Sequence, residues 1–374
     1  MRSVQGPTRI YLSLRHHADA GLVAAIAAST LLFAATPFLL PEIASEYGVQ
    51  LGIAGLVSTA QVGTFAVVVF VAGRTLRTRR RYLIVATTIM FAANLASAFA
   101  PTFPILVALR VLAGGAAGIM VWLGWAKAMR VGASLRNVAA TGPAAVFLGA
   151  PIIGWFASSY GIDAVFIFLA VIALPAAVLP VEFAGFKPKR SHAGVSRSNV
   201  VLVVALGLLT LAGSAMFVYT ASLGQDIGMG ATAISLTFSA NALAGFIGAQ
   251  LKGKGSAAPW IAVIAVGAAT LGFVPEAAVF VVGMTLWGFA FWIATPRVMS
   301  SIADWSPAPE DRVGDAQSAM AVGRAIGPAI GGLVLVSGSF SDLAIWSVSG
   351  LLLSAVVVLL VDLYRRGKTS PTAD

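Results

Sequence analysis

Two arginines sit inside long apolar runs, and they are the side chains best placed to do chemistry. Arg324 falls about ten residues into a run at 314–336, and Arg110 about six residues from the far edge of a run at 104–126. If those runs cross a bilayer as helices rising about 1.5 Å per residue, Arg110 lies roughly 9 Å deep and Arg324 near the middle. An arginine there costs on the order of 2.5 to 3.5 kcal/mol, so it must face a wet cavity or a partner. For Arg324 two readings stand: a substrate or gating role, or a structural bond to carbonyls at a kinked helix. For Arg110 a cavity role stands beside snorkelling to the interface.

The acids are distributed differently. No Asp or Glu falls deep in any apolar run. An embedded carboxylate is the group that exchanges a proton for a cationic solute, so its absence argues against cationic cargo. Two embedded cations without an embedded acid make a net positive interior, which favours an anionic or a neutral amphipathic solute. Asp19, Glu42, Glu182 and Asp315, near the ends of runs, are the acids left for proton coupling, though solvation at a helix end explains each as well. The absence of Cys excludes disulfides, thiolate metal sites and Cys nucleophiles. His16, His17 and His192 lack metal-ligand spacing, and the runs hold no Ser-His, His-Glu-x-x-His or Asp-Asp arrangement. No metal, cofactor or embedded enzymatic chemistry is therefore expected. Gln61, Asn94 and Asn241 are amides in apolar surroundings, and each needs a partner in a solute or a neighbouring helix.

What must position these groups is a membrane bundle. Of 374 residues, 59% are hydrophobic and 10% charged, against about 25% charged in a soluble domain. A water-soluble fold of that composition would lack a surface. The apolar blocks are about 20 residues long, enough to cross a core of about 30 Å, and lipid offers the backbone no partner, so each block must be a helix. Spans fall at 20–41, 51–73, 82–99, 104–126, 139–160 and 163–182, then at 200–223, 231–251, 259–275, 278–300, 314–336 and 341–363. The expectation is an all-α integral membrane protein with twelve transmembrane helices in two similar six-helix bundles. Residues 1–182 form the first bundle, 183–199 a cytoplasmic linker and 200–374 the second. The first run, about 22 residues, exceeds the 7 to 15 or so of a cleaved signal segment and reads as a retained helix.

Charge supports that count, because Lys and Arg gather in cytoplasmic loops. With the N-terminus inside, 22 of the 24 basic residues fall in seven inner segments, and the remaining two are Arg110 and Arg324. The outer loops carry Glu42, Glu46, Asp163, Asp226, Glu276 and Asp342 and no basic residue. One missed span would invert every later loop, so the asymmetry predicts an even count with both termini cytoplasmic. The net charge of +10 is then a topology signal with some attraction to anionic lipid. Nucleic-acid binding is not expected, since the charge is spread over many segments rather than one face.

The two sets of spans also repeat. Gly73 answers to Gly248 at an offset of 175, Gly114 to Gly288 at 174, and Pro151 and Gly154 to Pro328 and Gly331 at 177. A doubled six-helix unit is a known transporter plan. Gly114 and Gly118, and likewise Gly323, Gly327 and Gly331, lie four apart on one helix face and allow two backbones to approach closely. Pro151 and Pro328 each remove a backbone donor, so a bend is expected at each. Such helices suit two rocking halves, and equally suit close packing with no part in motion.

Several of these segments resemble the major facilitator superfamily, and the resemblance covers nearly the whole chain. Leu40-Pro41-Glu42-Ile43-Ala44, Tyr47-Gly48-Val49 and Ala54-Gly55-Leu56 are similar to that family's first helix, outer loop and entry to the second helix. Gly73-Arg74-Thr75-Leu76-Arg77-Thr78-Arg79-Arg80-Arg81 resembles its signature loop between helices two and three, with Arg77 where the family has Asp. Arg110 with Gly114 and Gly118 resembles the fourth-helix motif. Gly149-Ala150-Pro151-Ile152-Ile153-Gly154 resembles the fifth-helix motif of exporters and is echoed by Gly327-Pro328-Ala329-Ile330-Gly331-Gly332.

The resemblance implies a secondary active transporter working by alternating access. It would be a monomer in a bacterial inner membrane, with protons as the coupling ion, and the fifth-helix motif favours efflux. Uptake of a small organic anion or sugar is the alternative, and a non-transporting receptor a further one. In the family, helices one, four, seven and ten line the cavity. By position the candidates here are Phe33 and Thr36, Met120 and Trp122, Phe217 and Tyr219, and Trp287 and Phe291, with Arg324, Arg110, Gln61 and Asn241. The acidic cluster Asp304, Glu310, Asp311 and Asp315 stands among basic inner loops. We expect Arg77 to pair with Asp311 or Asp315, replacing the family's gate contact with reversed sign; solvated loop charges are the alternative.

Overall fold

The computed structural model describes residues 20–131, 135–183, 196–251, 255–306 and 309–369; within these ranges the side chains at 129–131, 135–139, 309–311, 313, 368 and 369 are not described. The first half is built from α1 (Ala20–Glu46), a short α2 (Leu51–Ala54), α3 (Leu56–Thr75), α4 (Arg80–Ser97), α5 (Phe103–Val131), α6 (Leu135–Ala173) and a short α7 (Pro175–Val178). The second contains α8 (Arg197–Phe217), α9 (Thr220–Asp226), α10 (Ala231–Gln250), α11 (Ala258–Phe273), α12 (Ala277–Asp304), α13 (Pro309–Ser337) and α14 (Phe340–Thr369). No strand occurs among the described residues.

These elements make twelve crossings, because α6 is two helices joined at Gly161, whose φ of 79° is open to glycine at little cost. Among the described residues, nine stretches are long and apolar enough to span on their own, one of them the double span Ala140–Val178. The remaining crossings are α4, which begins with two arginines, and α11, which has only 16 residues. The chain is an all-α integral membrane protein of two pseudo-symmetric six-helix bundles. The boundary region of the expected linker, residues 184–195, lies outside the described residues, as do Asp19, His16, His17 and His192.

The symmetry is visible in the packing. α3 lies on α5 as α10 lies on α12, α1 on α6 as α8 on α13, and α4 on α6 as α11 on α14. Glycines set the approach at equivalent places: Gly114 of α5 lies against the backbone carbonyl of Gln61 in α3, and Gly288 of α12 against that of Asn241 in α10. A side chain at either would drive the helices apart, as expected where lipid supplies no hydrophobic drive and dispersion does the work. Gly323, Gly327 and Gly331 run along the backbone of α8 from Gly207 to Ala215.

The long helices other than α1 turn apolar side chains outward. On α13 these are Val322, Ile326, Leu333 and Val336, from 44% to 70% exposed, a stripe that suits lipid. The halves meet through α6 on α10, α2 and α3 on α13, and α1 on α9. Below, the end of the bundle that holds Ala20 and Thr369 is called the terminal end, and the opposite one the distal end.

Candidate functional site

The interior of the bundle closes at its distal end. Tyr219, fully buried between α8 and α9, donates its hydroxyl to the carbonyl of Pro328 at 2.8 Å and lies 3.5 Å from the carbonyl of Gly52 in the other half. Beside it the backbones of Gly52 and Gly332 touch without side chains between them. Phe38 of α1 meets Phe238 of α10 at 4.7 Å between centroids, and Phe238 continues to Phe217 and Trp287 at 5.6 and 5.9 Å along the chain of rings. On the outside of this seal the phenol of Tyr47 donates to Ala100 at 2.8 Å; its pKa is raised, first by burial and then by the charge of Glu46, so it stays a donor.

One turn below Pro328 lies Arg324. At about 100° per residue, it projects from α13 on the side opposite the lipid stripe of Val322, Ile326, Leu333 and Val336. It is nevertheless exposed, as is Gln317 two turns nearer the terminal end. An interior-facing side chain that water reaches lines an open space, and the distal seal leaves the terminal end as the way in. The guanidinium stands 5.9 Å from the ring of Phe291 on α12 and has no carboxylate or carbonyl partner among the described residues. Gln317 leans on Met299 of α12 at 3.6 Å. On α1 the partly accessible Val23, Ala27, Thr30 and Ala34 form one stripe, three and four residues apart, that stops where the Thr36 to Leu40 segment becomes buried.

Proline places a second polar atom at the same spot. Pro328 has no N–H, so the carbonyl of Arg324, four residues earlier, lacks its helical donor. A cation and an unpaired main-chain acceptor therefore coincide halfway along α13.

The other expected site residues are distributed more widely. Arg110 is fully buried between α4, α5 and α6. It donates to Asn94 Oδ1 at 2.8 Å, to the carbonyl of Ala93 at 3.2 Å and to Ser97 Oγ, and stacks over Phe166 at 4.6 Å. Gln61 donates to the carbonyl of Leu32 at 3.3 Å and Asn241 to that of Met284 at 2.7 Å, so both amides join helices. Thr36 bonds back to Leu32 at 3.5 Å. Phe33 meets Phe65 edge-on at 5.0 Å. Met120 is fully buried, and Trp122 lies buried beside Gly73 near the terminal end.

Gly149 packs on Leu31, and Gly154 on Ser235 of the other half. Arg77 is exposed, while Asp315 pairs with Arg312 at 2.7 Å on its own helix; the side chains of Glu310 and Asp311 lie outside the described residues. Ser239, Gln317, Gly52 and Gly332 were not among the expected site residues. Only Gly332 carries a local signal, through its place in the repeated Gly-Pro motif.

Two doubled bundles, a sealed distal end and an interior cation exposed from the other end are the geometry of an alternating-access carrier. Residues 22–331 match the sequence profile of the Major Facilitator Superfamily. This chain belongs to that family. It is a multi-pass membrane protein and a secondary transporter rather than an enzyme. The fold is similar to that of a POT family transporter solved with a thioalcohol-conjugated peptide, at a TM-score of 0.70 and 12% identity over 94% of this chain and 96% of that one. It is similar also to the human organic anion transporter MFSD10, at 0.58 and 16% over 95% and 100%. A bacterial homologue of the human lysosomal transporter Spinster, inward-facing and occupied, gives 0.65 and 14% over 98% of each chain.

Proposed function

We propose that this transporter expels an anionic or neutral amphipathic metabolite or drug by alternating access, coupled to the proton gradient. The observation that carries the reading is Arg324, an exposed interior cation at mid-helix with no carboxylate partner among the described residues. An anion supplies the missing partner, and the ring of Phe291 offers an apolar neighbour to an amphipathic body. The human neighbour is described as an organic anion transporter, but a likeness at that identity carries fold alone, so the reading rests on Arg324. Direction rests on the resemblance of the segment around Pro151 to the exporters' motif. Asp19, Glu42, Glu182 and Asp315 are the acids offered for proton coupling.

In this reading the halves, residues 1–182 and 200–374, rock about the linker 183–199. Gly149, Pro151 and Gly154 with Gly327, Pro328 and Gly331 form the bending helices, and Gly73, Arg77, Asp311 and Asp315 belong to the terminal gate. One chain supplies both halves, which suits a monomer, and the basic terminal-end loops suit a bacterial inner membrane with both termini cytoplasmic. A second reading keeps the site and reverses the direction: Gln317 on the same face as Arg324 suits the hydroxyls of a sugar or the carboxylate of a small organic acid taken up.

The test is transport into proteoliposomes of radiolabelled anionic and neutral metabolites and antibiotics, with and without an imposed proton gradient. Gradient-driven movement of anionic or neutral compounds, lost in Arg324→Ala, is expected. Movement of permanently cationic compounds only would refute the positive site. Absence of any transport would favour a receptor.

A further inference from the structure

A cavity of about 270 Å³ opens within the second half near the terminal end, walled by α8, α12, α14 and the segment 255–257 before α11. Neither α13, which bears Arg324, nor any helix of the first half contributes to it. Its polar side carries Arg297, Ser301, Arg365 and Arg366 with one acid, Asp362. Leu202, Val298 and Val358, themselves buried, close it toward the core.

Most of the polar groups are committed. Arg365 is buried, donates to Ser198, Asn199 and Ser301 at 2.6 to 3.3 Å, and stacks on Trp305 at 4.9 Å. Asp362 accepts from Ser256 at 2.5 Å. Arg297 is the exception. Its guanidinium lies 5.6 Å from the ring of Trp260 and has no hydrogen-bond partner among the described residues. Arg297 is seven residues before the end of α12 and Trp260 two residues after the start of α11. Both therefore sit at the depth of a membrane interface, where tryptophan rings collect.

We propose that this cavity binds the phosphodiester headgroup of an anionic phospholipid, with Arg297 as the phosphate ligand and Ser301 as a flanking hydroxyl. The guanidinium's unused donors match phosphate oxygens in pairs. Trp260 at the same depth places the phosphate where the headgroups of a bilayer lie, which favours a lipid over free phosphate. Basic pockets between transmembrane helices recognise acidic headgroups in this way. The lipid would join α8, α12 and α14 at the end where the second half must move.

The experiment is native mass spectrometry of the full-length protein titrated with phosphatidylglycerol, phosphatidylcholine or inorganic phosphate. Phosphatidylglycerol adducts should exceed phosphatidylcholine adducts, fall about fivefold in Arg297→Gln, the factor one basic residue near the surface is worth, and fall by less in Arg297→Lys, which keeps the charge without the planar fork. Arg79→Gln, an exposed terminal-end arginine in the other half, should leave the adducts unaltered. Gel filtration and thermal unfolding identify any variant that fails to fold, in which case Ser301→Ala, with a smaller loss of adducts, takes its place. Equal adducts in a folded Arg297→Gln would overturn the site, and displacement of the lipid by inorganic phosphate would overturn the lipid assignment.

Discussion

The hydroxyl of Ser239 in α10 donates to the main-chain carbonyl of Phe147 in α6 at 2.9 Å, across the boundary between the halves. Phe147 lies four residues before Pro151, so its carbonyl is the one that proline deprives of a helical N–H. The repeat places Pro328 after Arg324 in the same way. The residue answering to Ser239 at an offset of 175 is Thr64, whose hydroxyl instead bonds Ala60 of its own helix at 2.8 Å. One proline bend is thus capped by the opposite half and the other keeps its free acceptor beside Arg324.

Ser239→Ala should weaken the distally closed state specifically. A hydrogen bond between membrane helices is worth about 0.6 kcal/mol on average, so the closed-to-open ratio should fall about threefold. Electron–electron distances between spin labels at the distal end measure that ratio directly. The chain has no Cys, so labels can be introduced without first removing native thiols. An unchanged distance distribution would mean the bond closes equally well in both states.

Gly52→Ala should do more. A Cβ there meets the carbonyl of Gly332 and the side chain of Val336, and backbone cannot retreat as a side-chain tip can. The same spin-label pair should report a distal end that no longer reaches its shortest distance. Transport should fall with it. A protein that closes normally would show that α2 or α13 shifts to accommodate the methyl group.

Arg110→Met should cost stability and spare solute affinity, because Asn94, Ser97 and the carbonyl of Ala93 lose their common donor. Hydrogen bonds to a charged group are worth about 1.5 to 3 kcal/mol each, offset here by the relief of a buried charge, so a net loss of about 2 to 3 kcal/mol is expected. Adding Asn94→Leu should recover part of it, since removing both partners leaves fewer unsatisfied groups. Thermal unfolding and transport KM, measured on both variants, separate this role from solute contact. A raised KM without destabilisation would place Arg110 in the path.

Arg324→Gln should show the opposite pattern. Removing a cation from mid-bilayer depth relieves up to about 2.5 to 3.5 kcal/mol, so unfolding should occur at a higher temperature. Transport of anionic solutes should drop tenfold or more, the effect of losing about 1.4 kcal/mol of binding. Arg324→Lys, with the charge but without the planar fork, should fall between. A destabilised variant with normal transport would assign the arginine to structure.

Much of the architecture was legible because membrane helices obey local rules. The blocks of apolar residues fall on the observed crossings to within a few residues, since a helix that satisfies its own backbone needs no distant partner to exist. Gly114 and Gly288, paired at an offset of 174, turn out to perform the same close approach in each half. Breaks at Gly55 and between Phe217 and Thr220 were not legible, because nothing in the local composition differs from an unbroken helix.

Site geometry was less accessible. Arg110 and Arg324 look alike in the sequence, each a lone cation in an apolar run. Arg110 is enclosed by Asn94, Ser97 and Phe166, whereas Arg324 is left open before Phe291. Which outcome applies depends on the rotation of each helix and on what its neighbours present at that depth.

By itself, then, the order of apolar and charged residues determined the number of crossings, the doubling of the bundle and the positions where backbones approach, all properties of short segments and their spacing. Only the tertiary structure decided which cation stays unpaired, that Tyr219 spans from Pro328 to Gly52, and that the distal end is the closed one. The contacts of Tyr219 join residues over a hundred positions apart, those of the cations join different helices, and all exist only after the helices have been brought together at one angle out of several that the same sequence must visit.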